Sequence, residues 1–148
     1  MPTGTILEPL QHTFLAPPFE QATVVDAMRV GVVSCPRDVA LREVARTMAT
    51  YRIHSVVVSD ADGGAWGIVS DLDLARAAGQ DLDGVTAGDA ATTELVTVGA
   101  DESLARAAQL MAEHEIAHLV VVQPADGHPV GVLSTLDLAG VLAWGGMG

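Results

Sequence analysis

Two stretches of the sequence have nearly the same pattern: GIVSDLDL at residues 67–74 and GVLSTLDL at residues 131–138. In each, a glycine opens a short apolar run, a serine ends that run, and an aspartate follows three positions after the serine. A serine at such a position can cap the N-terminus of a helix, and residues that favour helices follow in both stretches. The pattern therefore predicts, at two places in the chain, a β-strand that passes directly into a helix.

The similarity between the two halves extends over most of the chain at an almost constant spacing. Ile53 and Ile116 are 63 positions apart, and after one extra residue in a loop the spacing becomes 64, as between Ser70 and Ser134. Each half contains a short β-type run, an amphipathic helical segment, two strand-like runs and a final helix. We therefore expect an α/β (α+β) fold made of two β-α-β-β-α repeats. Because a unit of about 60 residues is marginal alone, the repeats should pack sheet to sheet with pseudo-twofold symmetry.

The repeat divides the chain into four parts. Residues 1–22 precede it and contain several prolines, so we expect an extended N-terminal arm that is dispensable for folding. The first repeat is assigned to residues 23–80 and the second to residues 81–143. Residues 144–148 are expected to form a C-terminal tail that frays.

The composition disfavours several classes of protein. Seven basic and 19 acidic residues give a net charge of −12, which opposes binding to nucleic acid and to anionic membranes. The single cysteine excludes an internal disulfide and a thiolate metal cluster, and it suits a reducing compartment. The sequence shows no signal-peptide pattern and no apolar run of membrane-spanning length. We therefore expect a cytoplasmic protein that binds neither nucleic acid nor membranes.

The doubled unit, in which each copy closes with Gly, two apolar residues, Ser, two further residues and Asp, resembles a tandem pair of cystathionine-β-synthase (CBS) domains, or Bateman module. The resemblance covers about residues 23–143 and suggests a stand-alone CBS-pair protein. It implies that clefts between the repeats bind adenosine-containing ligands such as AMP, ADP, ATP or S-adenosylmethionine. Because no nucleophile in the pattern is paired with a base, we expect a regulatory module that is not an enzyme.

The resemblance implies two clefts, each of which combines the Ser-x-x-Asp of one repeat with strand and turn residues of the other. The aspartate can accept hydrogen bonds from both ribose hydroxyls, and the serine can bind a phosphate together with free amides at the helix N-terminus. The first cleft is expected to contain Ile68, Ser70, Asp73, Val96, Ile116, Ala117 and His118. The second cleft is expected to contain Val132, Ser134, Asp137, Met28, Val33, Ile53 and His54.

The two predicted clefts differ in charge. Arg29 and His54 can approach a phosphate in the second cleft, whereas Ala117 takes the place of His54 in the first. His118 can approach a phosphate in the first cleft, which reduces the contrast. We therefore expect an adenosine nucleotide, AMP foremost, as a regulatory ligand that binds more tightly in the second cleft, with no cofactor required. The same serines and aspartates could also act simply as helix caps, and one of the two clefts could be purely structural.

Other interpretations stay open. The apolar final helix, with LAGVLAW at residues 138–144, favours a homodimer. The protein could thus be an interaction module that dimerises and binds an unidentified protein target without nucleotide. A nucleotide-hydrolysing enzyme is disfavoured, because the sequence has no carboxylate cluster for Mg²⁺ and no phosphate-binding glycine loop. His114 and His118 have no evident third ligand, so we expect no metal site.

Overall fold

The computed structural model of the chain describes residues 17–146, and the elements follow in the order α1-β1-β2-α2-β3-β4-α3-α4-β5-α5-β6-β7-α6. The helices are α1 (Val24–Ala27), α2 (Leu41–Tyr51), α3 (Asp71–Ala77), α4 (Ala87–Ala90), α5 (Leu104–His114) and α6 (Thr135–Trp144). The strands are β1 (Arg29–Val30), β2 (Ser34–Pro36), β3 (Ser55–Ser59), β4 (Ala65–Ser70), β5 (Thr97–Gly99), β6 (His118–Val122) and β7 (Pro129–Ser134).

The predicted β-α-β-β-α unit is present twice, as β2-α2-β3-β4-α3 and as β5-α5-β6-β7-α6. In each unit the first strand is parallel to the second, and the second is antiparallel to the third. Both antiparallel pairs contain a register irregularity at the same point, between Val58 and Ser59 and between Val121 and Val122. The prediction of two matching units is confirmed.

The helices α2 and α5 bury equivalent apolar faces against their own sheets. Leu41 and Met48 are buried in the first helix, and Leu104 and Met111 are buried in the second. Full burial of one such side chain stabilises the fold by about 1.5–3 kcal/mol. Both helices end at a residue in the left-handed region, which turns the chain sharply toward the following strand.

The sheet faces that are not covered by helices pack against each other. Val57 of β3 and Val120 of β6, which are equivalent in the two repeats, are buried together with Ile68 of β4 in one apolar cluster. Val132 of β7 packs against the same cluster. The predicted sheet-to-sheet packing is therefore confirmed.

The residues at the start of each repeat, before its β-α-β-β-α unit, pack against the other repeat, an exchange that was not predicted from the sequence. Strand β1 is antiparallel to β7 and thereby extends the sheet of the second repeat to four strands. Helix α1 places Val24 in the core of the second repeat, and α4 places Ala87 in the core of the first. Thr92 then forms a β-bridge with Ile68 of β4. Because of this exchange, β1 of the first repeat lies beside β7 of the second, and Thr92 of the second repeat lies beside β4 of the first.

The last residues assigned to the N-terminal arm belong to a packed part of the structure. Ala22 is buried in the core of the second repeat, Phe19 packs against that core, and the Leu104 amide donates to the Ala22 carbonyl. Residues 1–16 lie outside the described residues, as do residues 147 and 148 of the predicted tail. Trp144, the first residue of that tail, still belongs to α6. Whether the arm is dispensable stays a prediction.

Candidate functional site

A cleft opens between the two repeats where β7 passes into α6. Its cavity volume is about 70 Å³, and both repeats contribute to its walls. The first repeat and the segment before it contribute Arg29, Gly31, Val33, Ile53, His54 and Ser55, and the second repeat contributes His118, Val132, Ser134, Leu136 and Asp137.

The junction between β7 and α6 fixes the positions of Ser134 and Asp137. Ser134 is the N-cap residue of α6, its hydroxyl oxygen accepts from the Asp137 amide at 3.2 Å, and its own amide donates to Asp137 Oδ2 at 2.9 Å. This reciprocal capping box explains why the two residues lie three positions apart. Among the described residues, the hydrogen bonds of the half-buried Asp137 carboxylate involve Oδ2, which leaves Oδ1 for a ligand.

The equivalent aspartate of the first repeat has more protein partners. Ser70 caps α3, and its amide donates to Asp73 Oδ2 at 2.8 Å. Asp73 Oδ1 accepts from Arg76 Nη1 at 3.2 Å and from Thr92 Oγ1 at 3.3 Å. Asp73 is only 6% exposed. Both of its carboxylate oxygens are therefore engaged by protein donors.

The repeat spacing shows how the two clefts differ in chemistry. At the positions where the second cleft has Arg29 and Gly31, the sequence around the first cleft has Thr92 and Glu94. The Ala117 that replaces His54 removes a further donor. At these two positions the first repeat unit faces a threonine and a glutamate in the sequence, where the second cleft has a cation and a glycine.

Most of the residues predicted for the second cleft lie together in the structure. The cavity is lined by six of the seven, namely Val132, Ser134, Asp137, Val33, Ile53 and His54. Met28 is not among the lining residues; it packs against the core of the second repeat, close to Gly131.

The residues predicted for the first cleft are distributed differently. Ile68 is buried between the sheets, while Val96 and Ile116 pack against the core of the second repeat. The Ala117 carbonyl accepts from the Thr135 amide at 3.0 Å. His118 lines the second cleft, because it pairs with Ser134 across β6 and β7.

Three residues line the cavity although the sequence did not predict them for either cleft: Gly31, Ser55 and Leu136. Ser55 could have been found from the repeat spacing, since it is the equivalent of His118. Gly31 and Leu136 carry no polar group, and the motif gave no signal for them.

The ionisable side chains in and around the cleft are two imidazoles, two carboxylates and the Arg29 guanidinium. His54 Nδ1 is 3.2 Å from Asp71 Oδ2. Burial lowers the pKa of His118, and the charge of His54 acts in the same direction, against the opposing effects of Asp71 and Asp137. His118 is therefore more readily neutral in the empty cleft than an imidazole in water.

A second cavity, of about 430 Å³, lies on the outer side of the first repeat. It is lined by Asp73, Arg76, Ala77, Gln80, Val85, Asp89 and Ala90. Its two carboxylates already have protein partners, since Asp73 is bound as described above and Asp89 caps its own helix through Thr86.

The part of the chain that the structure describes has neither a cluster of potential metal ligands nor a helix that could cross a membrane. Within residues 17–146, no three His, Cys, Asp or Glu side chains are arranged to hold a metal ion. None of the helices in this range combines the length and the apolar character that crossing a bilayer requires.

Comparison with known sequences identifies two matching segments. A family model described as "CBS domain" matches residues 24–79 and 87–143. The chain is 32% identical over 120 residues to the CBS domain-containing protein YhcV of Bacillus subtilis (strain 168), covering 80% of this chain and 84% of that protein. It is 31% identical over 142 residues to a homoserine O-acetyltransferase of Methanocorpusculum labreanum. That match covers 94% of this chain, but the chain spans only 28% of the length of the acetyltransferase.

Solved structures share the fold. A CBS domain protein from Pyrobaculum aerophilum complexed with AMP has a TM-score of 0.72 and 34% identity, covering 78% of this chain and 89% of that chain. The CBS domain pair of protein MJ0100, in complex with 5′-methylthioadenosine and S-adenosyl-L-methionine, has a TM-score of 0.75 and covers 82% of this chain and 96% of that one. Its identity is 21%, so this likeness concerns the fold alone. With both repeats matched by the family model and the same architecture found in these structures, the chain belongs to the CBS domain family, as a tandem pair.

Proposed function

We propose that this CBS pair is a regulatory module that binds an adenosine-containing ligand in the cleft of Ser134 and Asp137, and that it is not an enzyme. The observation that carries the proposal is the Asp137 carboxylate, which lies in the cleft with Oδ1 available while the equivalent oxygen of Asp73 is engaged. A carboxylate with a free oxygen can accept hydrogen bonds from the two hydroxyls of a ribose.

The surroundings of Asp137 suit the other parts of such a ligand. Ser134 and the first amides of α6 lie at the N-terminus of a ten-residue helix, where an anion is favoured. Val33, Ile53 and Val132 provide apolar surface for an adenine ring. A cavity of 70 Å³ is smaller than the roughly 300–1,000 Å³ of typical ligand sites, so the nucleotide would extend along the open cleft or widen it.

The relatives support the choice of ligand class. The Pyrobaculum protein is complexed with AMP, and the MJ0100 domain pair with two other adenosine compounds. Adenosine is the part that these ligands share. We propose AMP as the foremost candidate for this chain, with no cofactor required, and the cytoplasm, where the free Cys35 would stay reduced, as its compartment.

Calorimetric titration with AMP tests the proposal directly. We expect one AMP per chain, bound in the second cleft, because both carboxylate oxygens of Asp73 are engaged and the first cleft has Ala117 where the second has His54. Adenosine, ADP, ATP and S-adenosylmethionine complete the series. If none of these compounds binds at millimolar concentration, the ligand-binding function is wrong and the interaction function described next takes its place.

A second candidate function is suggested by exposed apolar side chains on the final helix. Leu136, Leu142 and Trp144 of α6 are 64%, 60% and 52% exposed. Leu72, the equivalent of Leu136 on α3, is 56% exposed. Exposed apolar residues on a protein surface are typical of an interface when they form a patch. We therefore propose a homodimer through these helices, and a protein target as the module's downstream partner.

A further inference from the structure

We infer that His54 and His118, one from each repeat, receive the anionic group of the ligand, so that the cleft prefers a phosphate-bearing adenosine compound and takes up a proton when it binds one. This inference rests on the proposed function and specifies the ligand class of the same site. Nothing in the Ser-x-x-Asp pattern requires either histidine.

The position of the pair follows from the repeat. His118 is the equivalent of Ser55, and both line the cavity, so these two residues lie near the pseudo-twofold axis where the clefts meet. His54 has no histidine equivalent, because Ala117 occupies that place in the second repeat. Two histidines therefore meet in the second cleft, whereas the corresponding pair of positions around the first cleft holds Ser55 and Ala117.

The hydrogen bond of His54 determines which of its nitrogens can meet a ligand. Asp71 lies 3.2 Å from Nδ1, and Nε2 is the nitrogen that remains for an anion. The repeat equivalent of Asp71 is Thr135, so the carboxylate that holds the imidazole belongs to the first repeat alone. The carboxylate fixes the orientation of the ring, and while Nδ1–H donates to Asp71, only the imidazolium form can also donate to an anion from Nε2.

The charges around His118 explain why proton uptake should accompany binding. The groups that face it are His54 before β3, Asp71 on α3, Asp137 on α6 and, along the same cavity, Arg29 on β1. In the empty cleft, burial favours the neutral form of His118. A bound phosphate adds negative charge beside the ring and favours the imidazolium form. The proton supplies the positive charge that an anion needs in a protein with a net charge of −12.

The pair therefore discriminates among adenosine compounds. A ligand with a phosphate gains from both histidines, whereas adenosine and 5′-methylthioadenosine have no anionic group to place there. S-adenosylmethionine has a carboxylate but no phosphate, and protonated His118 would repel its sulfonium cation. The preference for the anionic ligand should increase as the pH falls toward the ordinary pKa of histidine, about 6.5.

The test is isothermal titration calorimetry of the full chain between pH 6 and pH 8. Adenosine 5′-sulfate is the principal probe, because its sulfate ester does not titrate in this range, and adenosine is the uncharged comparison. We expect adenosine 5′-sulfate to bind about threefold or more tightly at pH 6 than at pH 8, with adenosine almost unchanged. Titrations in two buffers of different ionisation enthalpy should show net proton uptake for the sulfate ester.

Substitution of His54 and His118 tests whether these two side chains cause the pH dependence and the preference for an anionic ligand. His118→Gln should abolish most of the pH dependence, and His54→Gln should weaken the binding of adenosine 5′-sulfate more than that of adenosine. His114→Gln, at the exposed end of α5, is the control and should behave as the wild type. The wild-type proton-uptake measurement needs no variant, so it decides the matter even if a substitution impairs folding.

Two different failures are distinguishable. If adenosine and adenosine 5′-sulfate both bind with no dependence on pH and no proton uptake, the histidine inference is overturned and the nucleoside-binding function stands. If adenosine, AMP and the sulfate ester all fail to bind at every pH, the proposed function itself is wrong and the inference falls with it.

Discussion

Thr92 Oγ1 donates a 3.3 Å hydrogen bond to Asp73 Oδ1, although the two residues belong to different repeats. The bond exists because the segment leading into the second repeat crosses to the first and bridges Ile68 of β4. At the equivalent point of the other crossing segment stands Arg29, which pairs with Val132 and lines the second cleft. The segment that crosses to the first repeat thus occupies Asp73 through Thr92. The segment that crosses to the second repeat instead adds the cation Arg29 to the cleft of the equivalent aspartate, Asp137.

Replacing each aspartate by alanine should separate its role in binding from its role in stability. Both Asp73→Ala and Asp137→Ala remove a capping box, so each should lower the free energy of unfolding by about 0.5–2 kcal/mol. Only Asp137→Ala should abolish the stabilisation by ligand, because it removes the free carboxylate oxygen. In the wild type, AMP at a hundred times its dissociation constant should contribute about 2.7 kcal/mol.

Thermal denaturation with and without millimolar AMP measures this difference. Each variant is its own reference, so the shift caused by AMP is compared and not the absolute melting temperature. A shift of several degrees is expected for the wild type and for Asp73→Ala. If Asp73→Ala loses the shift and Asp137→Ala keeps it, the ligand lies in the other cleft.

The stability of the empty protein should depend on pH through His118. Burial lowers the pKa of His118 in the folded state, so the unfolded state binds more protons over the range between the two pKa values. The free energy of unfolding therefore falls as the pH drops from about 6.5, the value in the unfolded chain, through the lower folded value. Above that range the contribution of His118 is constant.

Urea denaturation at a series of pH values from 8 to 5 tests this prediction. His118→Gln should flatten the decline between pH 6.5 and pH 5 relative to the wild type. His128→Gln, in the exposed turn between β6 and β7, serves as the control and should retain the decline. Identical pH profiles for His118→Gln and the wild type would show that protonation of His118 does not oppose folding.

Removal of the N-terminal segment should have an effect that depends on where the cut is made. Deletion of residues 1–16 should leave the cooperative melt intact, because Phe19 and Ala22 keep their contacts with the second-repeat core. Deletion of residues 1–22 removes these contacts and the hydrogen bond from Leu104 to Ala22, and it should cost at least about 2 kcal/mol. Differential scanning calorimetry of the two truncations measures the difference, and equal melting temperatures would contradict it.

The regular elements of the fold could be predicted because their signals are local and occur twice. The Ser-x-x-Asp junctions predicted the starts of α3 and α6, and both form capping boxes. Apolar residues at helical spacing predicted the buried faces of α2 and α5. The continuous apolar runs of β3 and β6 predicted buried strands, and both are buried.

The exchanged segments could not be predicted in the same way. Strand β1 has two residues, and α1 and α4 have four each, so none has a measurable period. Their positions depend on pairing with residues far away in the chain, such as Val132 and Ile68. That His118 lines the second cleft could not be predicted for the same reason, since its place near the pseudo-twofold axis depends on how the sheets meet.

The exposed apolar side chains of α6 predict a homodimer. Leu142 is 60% exposed on a helix that also exposes Leu136 and Trp144. Because Leu142 and Trp144 are two residues apart and lie on nearly opposite sides of the helix, we place the contact on the side of Leu142. Leu142→Glu should convert the dimer to a monomer, because it places a charge in the apolar contact. Tyr51→Glu is the matched control, since Tyr51 is similarly exposed, at 64%, but belongs to α2 and not to α6. Multi-angle light scattering over a range of concentrations is the measurement.

We expect the mass of a dimer for the wild type and for Tyr51→Glu, and that of a monomer for Leu142→Glu. A monomeric wild type at every concentration would rule out this dimer, and dissociation by Tyr51→Glu alone would place the interface on α2.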